Sequence, residues 1–247
     1  MVDDRLIPDE IRTWVGPFSD KELYIKSGRE TFNDLVKYGK LERNSTVLDA
    51  GCGCGRLTIH LLDYLARDAR YEGFDICPEH IEWCKNNIEK DYSNFKFMHL
   101  DIRKDAYNPN GKYRVIETRL PYGDNNFDFI IAHSLFTHMI SNEFDHYISE
   151  FSRVLKRNGI LYASYYLLNE NSENGIRNKT SCLNFRFKID DCYTFDEKNP
   201  EEGIAQIELY VKEIYNSFDL EIIEPVYYSN WFRTGEFTQD FIIARKN

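Results

Sequence analysis

Several features are missing from this sequence of 247 residues, and each absence narrows the problem. No apolar run approaches the ~18 residues that a membrane-spanning helix needs, so no membrane partner is expected. The start, MVDDRLIPDE, is acidic and polar, without the cationic opening and apolar core of a secretory signal. Six cysteines are present, at 52, 54, 77, 84, 182 and 192, but none forms a CxxC pair or a zinc-finger spacing. Reduced thiols in a cytoplasmic protein are the expectation. There is no Lys/Arg-rich block. With 31 Lys+Arg against 41 Asp+Glu the net charge is −10, which argues against a nucleic-acid backbone as partner. No internal repeat or low-complexity tract is visible.

The balance that remains is that of a globular protein, with 42% hydrophobic and 29% charged residues. A chain of this length buries enough surface to fold without a disulfide or metal staple. Aromatics are plentiful, with 17 Tyr and 17 Phe, enough for ring-lined pockets as well as a core.

Residues 1–45 read as an N-terminal helical cap, with Phe32, Leu35 and Val36 at helical spacing and Gly39 ending the helix. From Ser45 the pattern becomes strand, glycine turn, helix. Thr46–Leu48 is β-rich, GCGCG is the turn, and Leu57, Leu61, Leu62 and Leu65 form a helical stripe. Tyr71–Phe74 and Phe95–Leu100 read as strands, with a helix begun by Pro78 between them. Phe127–Ala132 is nearly all apolar, as a central parallel strand should be. A helix capped by Ser141 should run to Asn158-Gly159, and Ile160–Leu168 should follow as a strand. Residues 169–202 break this rhythm and read as an insertion, a hairpin lid. Ile204, Ile207, Val211, Ile214 and Phe218 form a last helical stripe, before strands at Leu220–Tyr228 and Asp240–Arg245.

Alternating strands and helices imply a three-layer α/β sandwich, Rossmann-like, with a mostly parallel seven-stranded sheet. Two consecutive final strands imply one antiparallel strand near the C-terminus. Residues 46–168 would form the ligand-binding core and 203–247 would complete its sheet, within a single domain. Ligands in such sheets bind at the carboxyl ends of the strands, near the switch point.

Three acids stand at those ends. Asp49 closes the first strand ahead of Gly51, Gly53 and Gly55, where missing side chains let a ligand approach the backbone. Asp75 closes the second, about twenty residues later, where a carboxylate can accept from both ribose hydroxyls. Asp101 closes the third, placed to accept from an adenine amino group, with Ile76 and Ile102 as apolar walls for the purine. Each acid alone is as easily a helix cap or a turn former.

This set resembles the cofactor motifs of class I S-adenosylmethionine-dependent methyltransferases. The segments LPYGDNNFDFIIAHSLFTHM and EFSRVLKRNGILYASY are similar to that family's fourth strand and its approach to the fifth. The resemblance implies that Asp49 and the backbone of Gly51, Gly53 and Gly55 hold the methionine moiety, with Arg56 at its carboxylate. It implies that Asp75 holds the ribose beside Ile76, and that Asp101 and Ile102 meet the adenine. His133 would stand near the methyl group. A dinucleotide-binding oxidoreductase is the rival, but its fingerprint is GxGxxG, whereas this turn is GxGxG. A non-catalytic partner subunit that keeps the fold is a second rival.

A hydroxyl acceptor needs a base, and His133 and His138 in AHSLFTHM are the candidates. The resemblance also excludes subclasses. Ala132-His133-Ser134-Leu135 stands where DNA amino-methyltransferases carry Asn/Asp-Pro-Pro-Tyr/Phe. Neither Cys52 nor Cys54 has the Pro-Cys setting of cytosine-carbon enzymes. His133 and Ser134 replace the carboxylates of catechol-type enzymes, so no metal is expected. Trp14, Tyr24, Tyr165, Arg186 and Trp231 are the candidate acceptor contacts, each with core packing or a solvated face as its plain alternative. The expectation is a methyltransferase acting on a small-molecule or polysaccharide-precursor acceptor, with S-adenosylhomocysteine as the other product. The Asn-, Lys-, Ile- and Tyr-rich composition points to an AT-rich, bacterial genome. Oligomeric state is left open.

Overall fold

The apolar segments pair edge to edge. The computed structural model describes residues 7–12, 20–233 and 238–247. Its strands are β1 (Thr46–Ala50), β2 (Arg70–Asp75), β3 (Phe95–His99), β4 (Phe127–Ala132), β5 (Leu155–Tyr165), β6 (Leu167–Leu168), β7 (Phe187–Ile189), β8 (Cys192–Thr194), β9 (Ile204–Ile207), β10 (Leu220–Ile222) and β11 (Asp240–Lys246). Its α-helices are α1 (Asp9–Arg12), α2 (Lys21–Lys37), α3 (Thr58–Leu61), α4 (Pro78–Cys84), α5 (Ser141–Val154), α6 (Glu170–Arg177) and α7 (Glu208–Ser217).

Seven strands form the main sheet in the order β10-β11-β5-β4-β1-β2-β3. The pairs among β1 to β5 are parallel, and β11 runs antiparallel to both β5 and β10. This is the expected sheet with its one reversed strand. The order reverses between β1 and β4, so the cleft opens at their tips.

Alternation along the strands fills both faces. Leu48, Ala50, Ile130 and Ala132 face a core shared with Phe144, Ile148 and Phe151 of α5 and Val211 of α7. Val47, Phe129 and Ile131 face the other core, with Tyr24 and Leu35 of α2, Leu61 of α3 and Ile81 of α4.

Four local expectations are corrected. The leucine stripe after the glycine turn is one helical turn, α3, followed by turns; Leu57, Leu61, Leu62 and Leu65 are buried all the same. Helix α5 stops at Val154, because Leu155 already pairs with Phe127, and Asn158, with φ 63°, lies in a bulge within β5. Ser141 is the first residue of α5 rather than its cap, and its Oγ accepts from the Asp191 N–H. Ile204–Ile207 is strand β9, pairing with β6 and β8, so the last helix begins only at Glu208.

The segment after β5 builds a second sheet, β6-β9-β8-β7, with the β7–β8 hairpin at its edge. Its own small core holds Tyr166, Leu168, Phe185, Ala205, Trp231 and Phe232. The second sheet stands beside the carboxyl end of β5, next to the cleft.

Candidate active site

The glycine turn leaves β1 with Gly51, Gly53 and Gly55 all at positive φ, 78°, 54° and 86°. Side chains are disfavoured there, and a β-carbon at Gly55 would also stand 3.0 Å from Ile88 Cδ1. The N–H groups of Gly51 and Cys52 donate to the Phe74 carbonyl, tying the turn to the tip of β2. Asp49 is buried beneath it. Its Oδ2 accepts from the Tyr71 hydroxyl at 2.7 Å, and burial raises its pKa to about 7.

Asp75 reaches the turn from β2. One carboxylate oxygen accepts from the Gly53 N–H at 2.8 Å and the other from the Cys77 N–H at 2.9 Å. Each oxygen keeps a further lone pair. Ile76, beside it, is partly buried against the core. Asp101 follows β3, with its side chain about a third exposed and 3.3 Å from Lys112 Nζ, and Ile102 is buried. The three expected acids therefore stand at the carboxyl ends of three adjacent strands, and Asp75 is bonded to the turn.

Helix α2 crosses over this turn. Asp20 caps it by accepting from the N–H groups of Glu22 and Leu23. The Tyr24 hydroxyl lies 3.1 Å from Cys54 Sγ, His60 Nε2 lies 3.1 Å from the Ile25 carbonyl, and Arg56 donates to Ser27 Oγ at 3.3 Å. Tyr24 is therefore buried against the glycine turn rather than standing free for an acceptor. Thr31 Oγ1 is 3.5 Å from His133 Nε2.

His133 follows β4 and is partly buried, with Nδ1 enclosed and unpartnered. Burial, and then the Arg56 charge, pushes its pKa down to about 3. The next residue, Ser134, takes φ 59°, a conformation that non-glycine residues adopt at some cost. It is held there by hydrogen bonds. Its N–H donates to Ser164 Oγ at 2.7 Å, and both hydroxyls donate to Gln239 Oε1, at 3.1 and 2.6 Å.

His138 lies on the other side of this knot. Its Nδ1 is 2.8 Å from the Glu201 carbonyl, which fixes the proton on Nδ1 and leaves a lone pair on Nε2. The Tyr107 hydroxyl lies against the ring edge, 3.2 Å from Nδ1 and 3.4 Å from Nε2. Burial keeps the pKa of His138 below the ordinary imidazole value, against the opposing pull of the Glu201 carbonyl. Glu201 is placed by buried Lys104, whose Nζ donates to Glu201 at 2.9 Å, Glu143 at 2.6 Å and the His138 carbonyl at 3.0 Å. A cavity of about 130 Å³ opens beside His138, lined by Thr137, Tyr166, Leu183, Phe195, Glu202 and Gln239.

Two further expected acceptor contacts, besides Tyr24, are corrected. Tyr165 is fully buried, stacked on Phe136 at 5.4 Å, with its hydroxyl 2.6 Å from that of Tyr215. Trp231 is equally buried, and its Nε1 donates to Asp240 at 2.9 Å. Neither has surface for a ligand. Arg186 is exposed, its guanidinium over the Phe187 ring. Trp14 lies outside the described residues. Gln239, Ser164, Tyr107, Lys104 and Glu201 were not foreseen, because pairings across such sequence distances leave no local pattern. Among the described residues, one trio has the composition and closeness of a metal site: Asp75, Cys77 and His80. No helix among them is long and apolar enough to cross a membrane.

Known proteins are similar to this chain in sequence and in fold. A family model described as a methyltransferase domain matches residues 41–220. Malonyl-[acyl-carrier protein] O-methyltransferase of Acetivibrio thermocellus is 28% identical over 147 residues, 59% of this chain, and the match spans 44% of that enzyme's length. In the fold, a protein of Pyrococcus horikoshii OT3 is similar at a TM-score of 0.61 and 18% identity, covering 98% of this chain and 97% of its own. The magnesium protoporphyrin IX methyltransferase of Synechocystis PCC 6803, solved with S-adenosylhomocysteine, gives 0.58 at 16% identity, covering 92% and 85%. The family match spans the glycine turn, all three strand-tip acids and both histidines, and by it this chain belongs to the class I S-adenosylmethionine-dependent methyltransferases.

Proposed function

We propose that this protein transfers a methyl group from S-adenosylmethionine to an oxygen of a small-molecule acceptor, a polysaccharide precursor among the candidates. When bound, S-adenosylmethionine supplies an electrophilic methyl on a sulfonium. The residues fit it. The turn at residues 51–55 offers backbone free of side chains at its three glycines, Asp75 keeps lone pairs for two hydroxyls, and Asp101 stands about a third exposed at the next strand tip. Arg56 supplies a cation near the turn.

The observation that carries the acceptor side is the fixed tautomer of His138 beside a cavity. A neutral Nε2 can take a hydroxyl proton as the oxygen attacks the methyl in line. His133, with its depressed pKa, is a far weaker base, and its role is to occupy the methyl end of the cleft. Much of the rate would come from holding donor and acceptor in line. The cavity has roughly the volume of an engineered 150 Å³ cavity that accepts benzene. It therefore admits the reacting end of an acceptor about one ring in size, with the remainder outside. The curated relative's name specifies an oxygen acceptor, which supports the same choice. We read the catalysis as metal-independent and cytoplasmic, with no nucleic-acid partner.

An acceptor panel read by released S-adenosylhomocysteine tests this. His138→Ala should lower kcat at least 100-fold with cofactor affinity within two-fold of wild type. His133→Ala should alter cofactor affinity as well. Wild-type kcat in His138→Ala would end the general-base reading. Calorimetric preference for NAD over S-adenosylmethionine would end the whole proposal.

A further inference from the structure

The connection from β2 to α4 carries a feature that methyl transfer does not use. Cys77 precedes α4, and His80 lies in its first turn, both pointing inward and 2% and 3% exposed. His80 Nδ1 is enclosed and has no hydrogen-bond partner. It faces Asp75 Oδ1 at 3.9 Å, too far for a hydrogen bond. Neither protonation state satisfies this pair. A proton on Nδ1 is left without an acceptor in reach, and a lone pair there faces a carboxylate. Cys77 Sγ completes the trio, the three ligand atoms lying within 4.8 Å of one another. Its thiol makes a long contact, 3.7 Å, to the Tyr107 carbonyl and also interacts with the Asp75 carboxylate.

We propose that Asp75, Cys77 and His80 form a binding site for zinc or a similar borderline-soft divalent cation, and that this site shares the Asp75 carboxylate with the proposed ribose position. One oxygen, one sulfur and one nitrogen are a ligand set that zinc takes at about 2.0–2.3 Å. Side-chain shifts of about 1 Å close the trio around an ion. A cation between Nδ1 and Oδ1 removes the mismatch that leaves His80 unpartnered. As the S–Zn bond forms, the Cys77 proton leaves to solvent, so binding releases one proton. Water fills the fourth position. The metal has no part in methyl transfer; it holds the carboxylate that the nucleoside requires. The overlap rests on the reading of Asp75 as the ribose ligand, whereas the metal site itself does not.

The test uses the full chain, titrated with zinc chloride in a calorimeter and with cobalt chloride in a spectrophotometer. Wild type should bind one zinc per chain, and cobalt should give a thiolate charge-transfer band in the near ultraviolet. Cys77→Ser should lose that band, and His80→Gln should weaken zinc binding at least ten-fold, with circular dichroism matching wild type in both. No bound zinc, a band that persists in Cys77→Ser, or affinity within two-fold of wild type in His80→Gln overturns the site. S-adenosylmethionine should displace the zinc. If zinc binds through Cys77 and His80 and the nucleoside does not displace it, the overlap is overturned and the metal site stands. If S-adenosylmethionine does not bind even in chelator, the proposed function fails alone.

Discussion

A β-carbon on Gly28 would overlap the carbonyl oxygen of Arg56. That approach lets α2 lie directly on the glycine turn, where Tyr24 meets Cys54 and Ser27 meets Arg56, while Thr31 reaches His133. Alanine normally stabilises a helix interior by about 1 kcal/mol over glycine. Here the added carbon meets backbone that cannot rotate away, and overpacking costs about 1–3 kcal/mol. Gly28→Ala should therefore lower Tm and weaken S-adenosylmethionine binding at least ten-fold. A raised Tm with unchanged binding would show that the helix does not rest on the turn.

Asp75 joins the turn to the proposed ribose position. Asp75→Ala removes the acceptor for the Gly53 N–H along with the ligand contact. Cofactor affinity should fall by about 1.5–3 kcal/mol, as for hydrogen bonds to a charged acceptor. Calorimetry with S-adenosylhomocysteine measures this free of turnover.

The histidines fix a pH dependence. His133 has a folded pKa lowered to about 3 from an ordinary 6.5. The unfolded chain therefore takes up the proton first, and stability falls as pH drops from 6.5 toward 3. Above 6.5 the residue is neutral in both states and contributes no slope. Asp49, raised to about 7, pulls the opposite way below pH 7, so the His133 share is read as the difference between wild type and His133→Gln in denaturant melts between pH 7 and 5, wild type losing stability relative to the variant as pH falls. In activity, the acid limb of kcat should lie below 6.5, because His138 is also shifted down. A limb at or above 6.5 would assign the base elsewhere.

Tyr165→Phe separates packing from recognition. The change deletes the bond to Tyr215 inside a ring cluster. It should cost about 0.5–1.5 kcal/mol of stability. The KM for any acceptor should not move, whereas a change of five-fold or more would restore Tyr165 to the acceptor site.

The sheet and its ligand turn were readable because their signals are local. FDFIIA declares a strand buried on both faces, and Asp49-x-Gly51-x-Gly53-x-Gly55 declares a turn that needs positive φ. The leucines after the turn have the spacing of a helical stripe and are buried, but their helix is a single turn. Tertiary pairing decided the other differences. Ile204 and Ile207 fit a helical period and a strand equally well, and the β7–β8 hairpin selected the strand. Leu155 is a good helix former, yet Phe127 takes it into the sheet. Tyr165 and Trp231 have the composition of a ligand pocket, but Tyr165 belongs to the core of the main sheet and Trp231 to that of the second sheet. The Ser134–Ser164–Gln239 knot and the Lys104–Glu201–His138 chain join residues that no sequence window holds together.

Leu167 and Gln206 lie side by side, pairing β6 with β9. Everything between them departs and returns through one doorway. An excursion anchored that way can be lengthened, shortened or exchanged while the seven-stranded scaffold keeps its register. Transplanting this loop-and-hairpin cassette between relatives should carry the choice of methyl recipient with it and leave donor binding behind.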